Sequence, residues 1–102
     1  MTARSKACDI SAKVRKQIHE RDKYCVACGA RYGLQIAHVH VNRSHGGLAV
    51  PSNLALLCVK CHMAFDNGRK IHGERVKYEL YEYMNKLYGE VDKKEITFKK
   101  WK

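Results

Sequence analysis

The sequence predicts a small zinc-stabilised α+β domain, and three observations predict it. Two C-x-x-C pairs stand far apart in the chain, Cys25-Val26-Ala27-Cys28 and Cys58-Val59-Lys60-Cys61. Between them lie two segments of strand character: residues 34–41 alternate, and Leu54-Ala55-Leu56-Leu57 is a short apolar run. Helical periodicity flanks this centre on both sides, in residues 11–22 and 74–88.

Zinc follows from size and cysteine spacing. A chain of 102 residues makes one domain. Such a domain hides only roughly 60–65% of the surface of its unfolded chain, so a cross-link is expected. A two-residue gap lets both sulfurs of a pair face one ion, and two pairs complete a tetrathiolate shell. A redox dithiol is the rival, but it would not explain why the motif occurs twice. The fifth cysteine, Cys8, stands apart. Met1 to Lys6 has no apolar stretch behind it, and the longest apolar run, Leu54 to Val59, is too short to span a bilayer. A cytoplasmic protein without a membrane partner is expected, which favours thiolates over disulfides.

In chain order, residues 1–10 read as a flexible basic N-terminus. Residues 11–22 read as a helix capped by Ser11, with Val14 and Ile18 as the stripe that faces the zinc-centred core. Residues 24–29 form the first zinc loop, with Gly29 and Gly33 relaxing the turns. Residues 34–41 as a strand would put Leu34, Ile36, His38 and His40 on one face, the two imidazoles about 6–7 Å apart. A loop with Arg43, Ser44, His45 and Gly46-Gly47 follows, then Pro51-Ser52-Asn53 and the apolar run. A helix from Cys61 to Asp66 or a little beyond, closed by Asn67-Gly68, stacks His62 and Asp66 on one face. The last helix, 74–88, buries Val76, Leu80, Tyr83, Met84 and Leu87 and stops at Gly89. The expected division is a domain over 11–89, with its core at 24–68, and a basic tail over 90–102.

Twenty Lys and Arg against ten Asp and Glu give a net charge of +10. That surplus draws polyanions, of which nucleic acid is the commonest in a cell. Lys13, Arg15, Lys16, Arg21, Arg69, Lys70, Arg75, Lys77 and the tail lysines are the candidate phosphate-binding surface. None forms a base-reading signature, so low sequence specificity is expected. Tyr81 and Tyr88 fall near one another at helical spacing, either packed on the core or presented as a dimer surface.

A closed tetrathiolate shell leaves no position for water. Any hydrolytic metal must therefore use the harder nitrogen and oxygen donors that remain. Here the chain resembles the HNH nucleases, through Tyr24-Cys25-Val26-Ala27-Cys28-Gly29, Ile36-Ala37-His38-Val39, Arg43-Ser44-His45-Gly46-Gly47, and the run from Ser52 to His62 with both cysteine pairs in place. The resemblance covers roughly residues 24–68. It implies a ββα-metal core and metal-dependent cleavage of DNA. It also implies His38 as general base, Asn53 as the loop-fixing residue, and His62 as metal ligand with Asp66 one turn on. Apart from the resemblance, Arg43 is placed in sequence to clamp a phosphate with its guanidinium, and His45 and Lys60 are further candidate phosphate contacts. The catalytic ion would be magnesium on grounds of abundance, with manganese and nickel as alternatives. Many relatives of this size belong to bacteriophages or mobile elements, which implies host-cell cytoplasm and a larger phage protein complex; a homodimer is the alternative, since cutting both strands needs two centres or two successive events.

One departure matters. The residue before the base is usually Asp or His and binds the metal, whereas here it is Ala37. Two repairs stand open: His38 as base with His40 completing the metal shell, or His38 as ligand with His40 as base. The first is preferred. Ala37 also motivates the rival reading, a non-catalytic zinc module that binds nucleic acid. A zinc-bound module acting on another protein is a further rival, marked by weak, salt-independent association with DNA.

Overall fold

The computed structural model describes residues 8–67 and 71–98. Helix α1 spans Ala12–Asp22, and Ser11 caps it by accepting the Val14 N–H at 3.2 Å. It stops at Lys23, whose φ of 65° turns the backbone left-handed and returns its N–H to the His19 carbonyl. Strands β1, Leu34–His38, and β2, Leu54–Cys58, pair antiparallel, with Leu34 opposite Cys58 and His38 opposite Leu54. Helix α2, Val59–Asn67, follows β2 without a gap, and α3, Ile71–Tyr88, packs on α2. The order is ββα with one helix before and one after.

Every residue of β2 is buried because helices cover the sheet on both faces. Leu54 and Leu56 join Ile36 and Ala49 against Ile18 of α1. Ala55 and Leu57 join Ala37 against Val76, Leu80 and Met84 of α3 and against the cysteines. A strand covered on both faces reads as an unbroken apolar run. The stripe of α1 therefore meets the face opposite the cysteines, not the metal-centred core expected from sequence.

A buried polar hub ties three elements together. The Asp22 side chain is fully buried, accepts the Leu56 N–H at 2.9 Å and the Tyr83 hydroxyl, and takes two bonds from Arg21 at 2.6 and 2.8 Å. Arg21 also donates to the Pro51 and Leu54 carbonyls and to the Tyr88 hydroxyl. Arg21 was expected on the phosphate-binding surface; its guanidinium is spent on the fold instead. Tyr88 belongs to this hub, while Tyr81 packs elsewhere, against His40.

Three boundaries differ from the sequence reading, the first being the start of α2 at Val59 rather than Cys61. The strand expected over 34–41 ends at His38, because Asn53 captures the next backbone groups from across the loop. The last helix begins at Ile71 rather than at 74. Chain ends pack more closely than expected: Cys8 is buried, and Ile96 is buried beneath the loop. Ile96 accepts the Leu48 N–H at 2.8 Å, and Phe98 donates to the Gly46 carbonyl at 2.7 Å. The loop approaches itself so closely at Gly47 that a Cβ there would lie 1.9 Å from the Val41 oxygen. Residues 1–7, the expected helix stop at Gly68, and Arg69, Lys70 and the last tail lysines lie outside the described residues. Among the described residues no helix is long and apolar enough to cross a membrane.

Candidate metal centre and histidine-lined groove

The four cysteines of the two pairs gather at one end of the sheet, their sulfurs all within 4.8 Å of one another. Local backbone builds the first pair: the Cys25 N–H reaches the Ala30 carbonyl, and Gly29, at φ +78°, returns its N–H to Cys25. Cys58 ends β2 and Cys61 lies in the first turn of α2, so a strand-to-helix junction builds the second. Thiolates about 2.3 Å from a single ion stand about 3.8 Å apart along a tetrahedral edge. Cys28 Sγ and Cys58 Sγ are 3.7 Å apart, so the cluster fits a tetrahedral metal. Burial pushes the Cys25 thiol up, but N–H groups of Cys58, Cys28 and Ala27 outweigh it and bring it down to about 7. Burial and the neighbouring sulfurs push Cys61 far up. Four crowded thiols cannot all ionise alone, and a cation at their centre removes that conflict.

A second locus lies at the other end of β1. A groove of about 330 Å³ is lined by His38, His40, His45, Asp66, Lys77 and Tyr81, with Phe65 as an apolar wall. A larger cleft of about 630 Å³ beside Glu79, Glu82 and Lys86 has no histidine and lies away from these groups. The Nε2 of His38 lies 3.2 Å from the Cys8 carbonyl oxygen. A carbonyl only accepts, so that nitrogen carries the hydrogen and Nδ1 keeps the lone pair. Burial holds the His38 pKa below its ordinary 6.5 despite the Cys8 carbonyl, with the charges of Arg43 and His62 adding to the drop. His40 does not share the position of His38: its ring lies 5.2 Å from that of Tyr81, on α3. Its Nε2 is buried without a partner, and burial followed by Lys93 lowers its pKa.

Asn53 is fully buried and uses its whole amide on the loop. Its oxygen accepts from the His40 and Val41 N–H groups at 2.9 and 3.0 Å, and its nitrogen donates to the Val41 and Leu48 carbonyls. These four bonds fix the loop that bears His40 and leave no lone pair for a metal. On α2, His62 Nε2 and Asp66 Oδ2 are 3.6 Å apart, and His62 Nδ1 lies 2.8 Å from Gln35 Oε1. Asp66 joins this pair to the groove. Among the described residues the cysteines are the one group of three or more His, Cys, Asp or Glu gathered for a metal.

Of the expected phosphate contacts, His45 lines the groove and Arg43 is exposed in the same turn, paired with Asp9. Lys60 is exposed in the first turn of α2, next to Cys61, and is not part of the groove lining. Ala37 is 1% exposed and packs with Cys25, Leu57 and Leu80, so the position before His38 carries no donor into the groove. Sequence reasoning missed Cys8, Asp9 and Gln35, each of which touches a site residue. Only Gln35 carried a signal, as the polar residue of an otherwise apolar strand.

A comparison with protein families matches residues 25–67 to the HNH endonucleases. That stretch holds all four clustered cysteines, His38, Asn53, His62 and Asp66, and leaves α1 and α3 outside it. Neither curated proteins nor solved structures give a match.

Proposed function

We propose that the chain, whose residues 25–67 match the HNH endonuclease family, is a metal-dependent endonuclease hydrolysing phosphodiester bonds in DNA, with zinc in the four-cysteine site as its structural staple. One observation carries the reading: a histidine with a free Nδ1 and a lowered pKa lines the same groove as the carboxylate of an imidazole–carboxylate pair. His38 takes the proton of the attacking water on Nδ1 while its Nε2–H stays bonded to Cys8, so the ring does not turn as it ionises. His62 and Asp66 hold the divalent ion; His40 is not gathered with them, and its buried, unpartnered Nε2 has to turn toward the ion to serve as a third donor. That ion, magnesium by abundance, or manganese or nickel, supplies charge stabilisation at the phosphoryl oxygens. Lys77 and His45 line the groove where phosphate would lie, and Arg43 exchanges Asp9 for a phosphate at its rim. Asn53 acts only through the loop it fixes. The basic surface binds backbone without reading bases, so cleavage has low sequence specificity.

Supercoiled plasmid incubated with zinc-loaded protein and magnesium or manganese tests this. Metal-dependent nicking that disappears in His38→Ala, with the fold retained, is the expected result. A second reading, a nucleic-acid-binding zinc module without catalysis, is favoured by the buried Ala37 in place of a ligand. Tight binding with no cleavage in any metal, at excess protein, selects that reading instead.

A further inference from the structure

Resting on the reading of His62 and Asp66 as ion donors, we propose that Gln35 is a positioning residue for the divalent-ion site, selecting through its amide oxygen the His62 tautomer that can bind a metal. The two ring nitrogens of His62 face different partners. Gln35 Oε1 lies 2.8 Å from Nδ1, while Nε2 faces Asp66 Oδ2 at 3.6 Å. An amide oxygen cannot donate, so Nδ1 carries the hydrogen and the lone pair falls on Nε2, the nitrogen beside the carboxylate. Were the amide turned to present its NH₂, the hydrogen would move to Nε2 and block coordination there. The atom that Gln35 offers thus decides whether His62 is a ligand or a donor.

Two further features strengthen the assignment. Gln35 is exposed, on the fully paired strand β1 opposite Leu57, and ordering so long a side chain there costs about as much as one hydrogen bond returns. Stability therefore gives little reason for the contact. The next residue on the same face of β1, Ala37, offers no donor, so the ion depends more heavily on how His62 is held.

The test uses the full, zinc-loaded chain with Mn²⁺ as the probe. Affinity is read from the EPR signal of free Mn²⁺, and the His62 tautomer from imidazole ¹⁵N shifts recorded without manganese. Gln35→Leu removes the acceptor and is expected to weaken Mn²⁺ binding about 10–100-fold while moving His62 away from the pure Nδ1–H form. Gln35→Glu keeps an acceptor oxygen and is expected to hold both readouts at or above the unsubstituted level. Position 35 is exposed, so both variants should melt with the parent, and the melting curve checks this. Unchanged affinity and tautomer in Gln35→Leu would overturn the role of Gln35. Mn²⁺ binding that survives His62→Ala would instead overturn the ion site itself, and this inference with it. A protein that never cuts plasmid yet loses Mn²⁺ on Gln35→Leu fails only as a nuclease.

Discussion

At one end of the strand pair four sulfurs converge within 4.8 Å; on the helix that follows, one imidazole and one carboxylate stand 3.6 Å apart, the carboxylate lining an open groove. The first set is soft, closed and assembled by backbone turns, and it joins two distant chain segments. The second is hard and open to solvent, its imidazole held by a single side-chain contact from Gln35. A metal that folds the chain needs its ligands fixed by the fold, whereas one that serves catalysis must leave room for substrate and water. The same hairpin serves both ends, with the cost of order placed at the thiolates.

Breaking the closed end should have the largest effect. Zinc bound by thiolates contributes about 10–16 kcal/mol in small domains, as much as or more than the about 5–15 kcal/mol of a whole domain. Cys58→Ser, or stripping zinc with a strong chelator, should abolish cooperative thermal unfolding seen by circular dichroism. Removing the ion at the open end should leave that transition in place.

Next comes the groove. His38→Ala should slow plasmid cleavage by about 10²–10⁴-fold while the melting temperature changes little. A comparable loss from His40→Ala, with His38→Ala nearly active, would reverse the order of the two histidines.

The Arg21–Asp22 hub separates stability from chemistry. Asp22→Ala strips a fully buried carboxylate from Arg21, Tyr83 and the Leu56 N–H and should cost about 3–5 kcal/mol in urea unfolding. Cleavage per folded molecule should hold, since none of the partners of Asp22 lines the groove.

Two smaller effects sharpen the contrast. Asp9→Asn releases Arg43 at the groove rim; DNA affinity should rise, and the slope of log K against log salt should steepen by about one unit, one phosphate contact. Burial and the bond to Asp22 raise the Tyr83 phenol to about 12 from its ordinary 10. The neutral phenol is thus favoured in the fold: its stabilisation is complete below pH 10 and is lost as pH climbs toward 12. Tyr83→Phe should flatten that alkaline decline in denaturant midpoints.

What the sequence made legible was local. A two-residue gap between cysteines, a serine ahead of α1, and the i, i+4 spacing of His62 and Asp66 each carry their geometry within a turn or two of chain. The end of β1 was not legible, because the group that ends it is Asn53, twelve or thirteen residues away from the N–H groups it captures. The contacts of Gln35 with His62 and of Cys8 with His38 bridge 27 and 30 residues, and Asp22 reaches Tyr83 across 61. Periodicity cannot announce such pairs. Burial on both faces likewise hid the polarity of β2, whose apolar run gave a strand but not the helices on each side of it.

The central claim is that the chain holds a second, hard-ligand ion site apart from its thiolates. Anomalous diffraction at the manganese edge, from crystals of zinc-loaded protein soaked in Mn²⁺, addresses it directly. A peak within bonding distance of His62 Nε2 and an Asp66 oxygen, with zinc alone among the cysteines, is the result expected. Manganese that lodges only at the thiolates, or nowhere near His62, would contradict it.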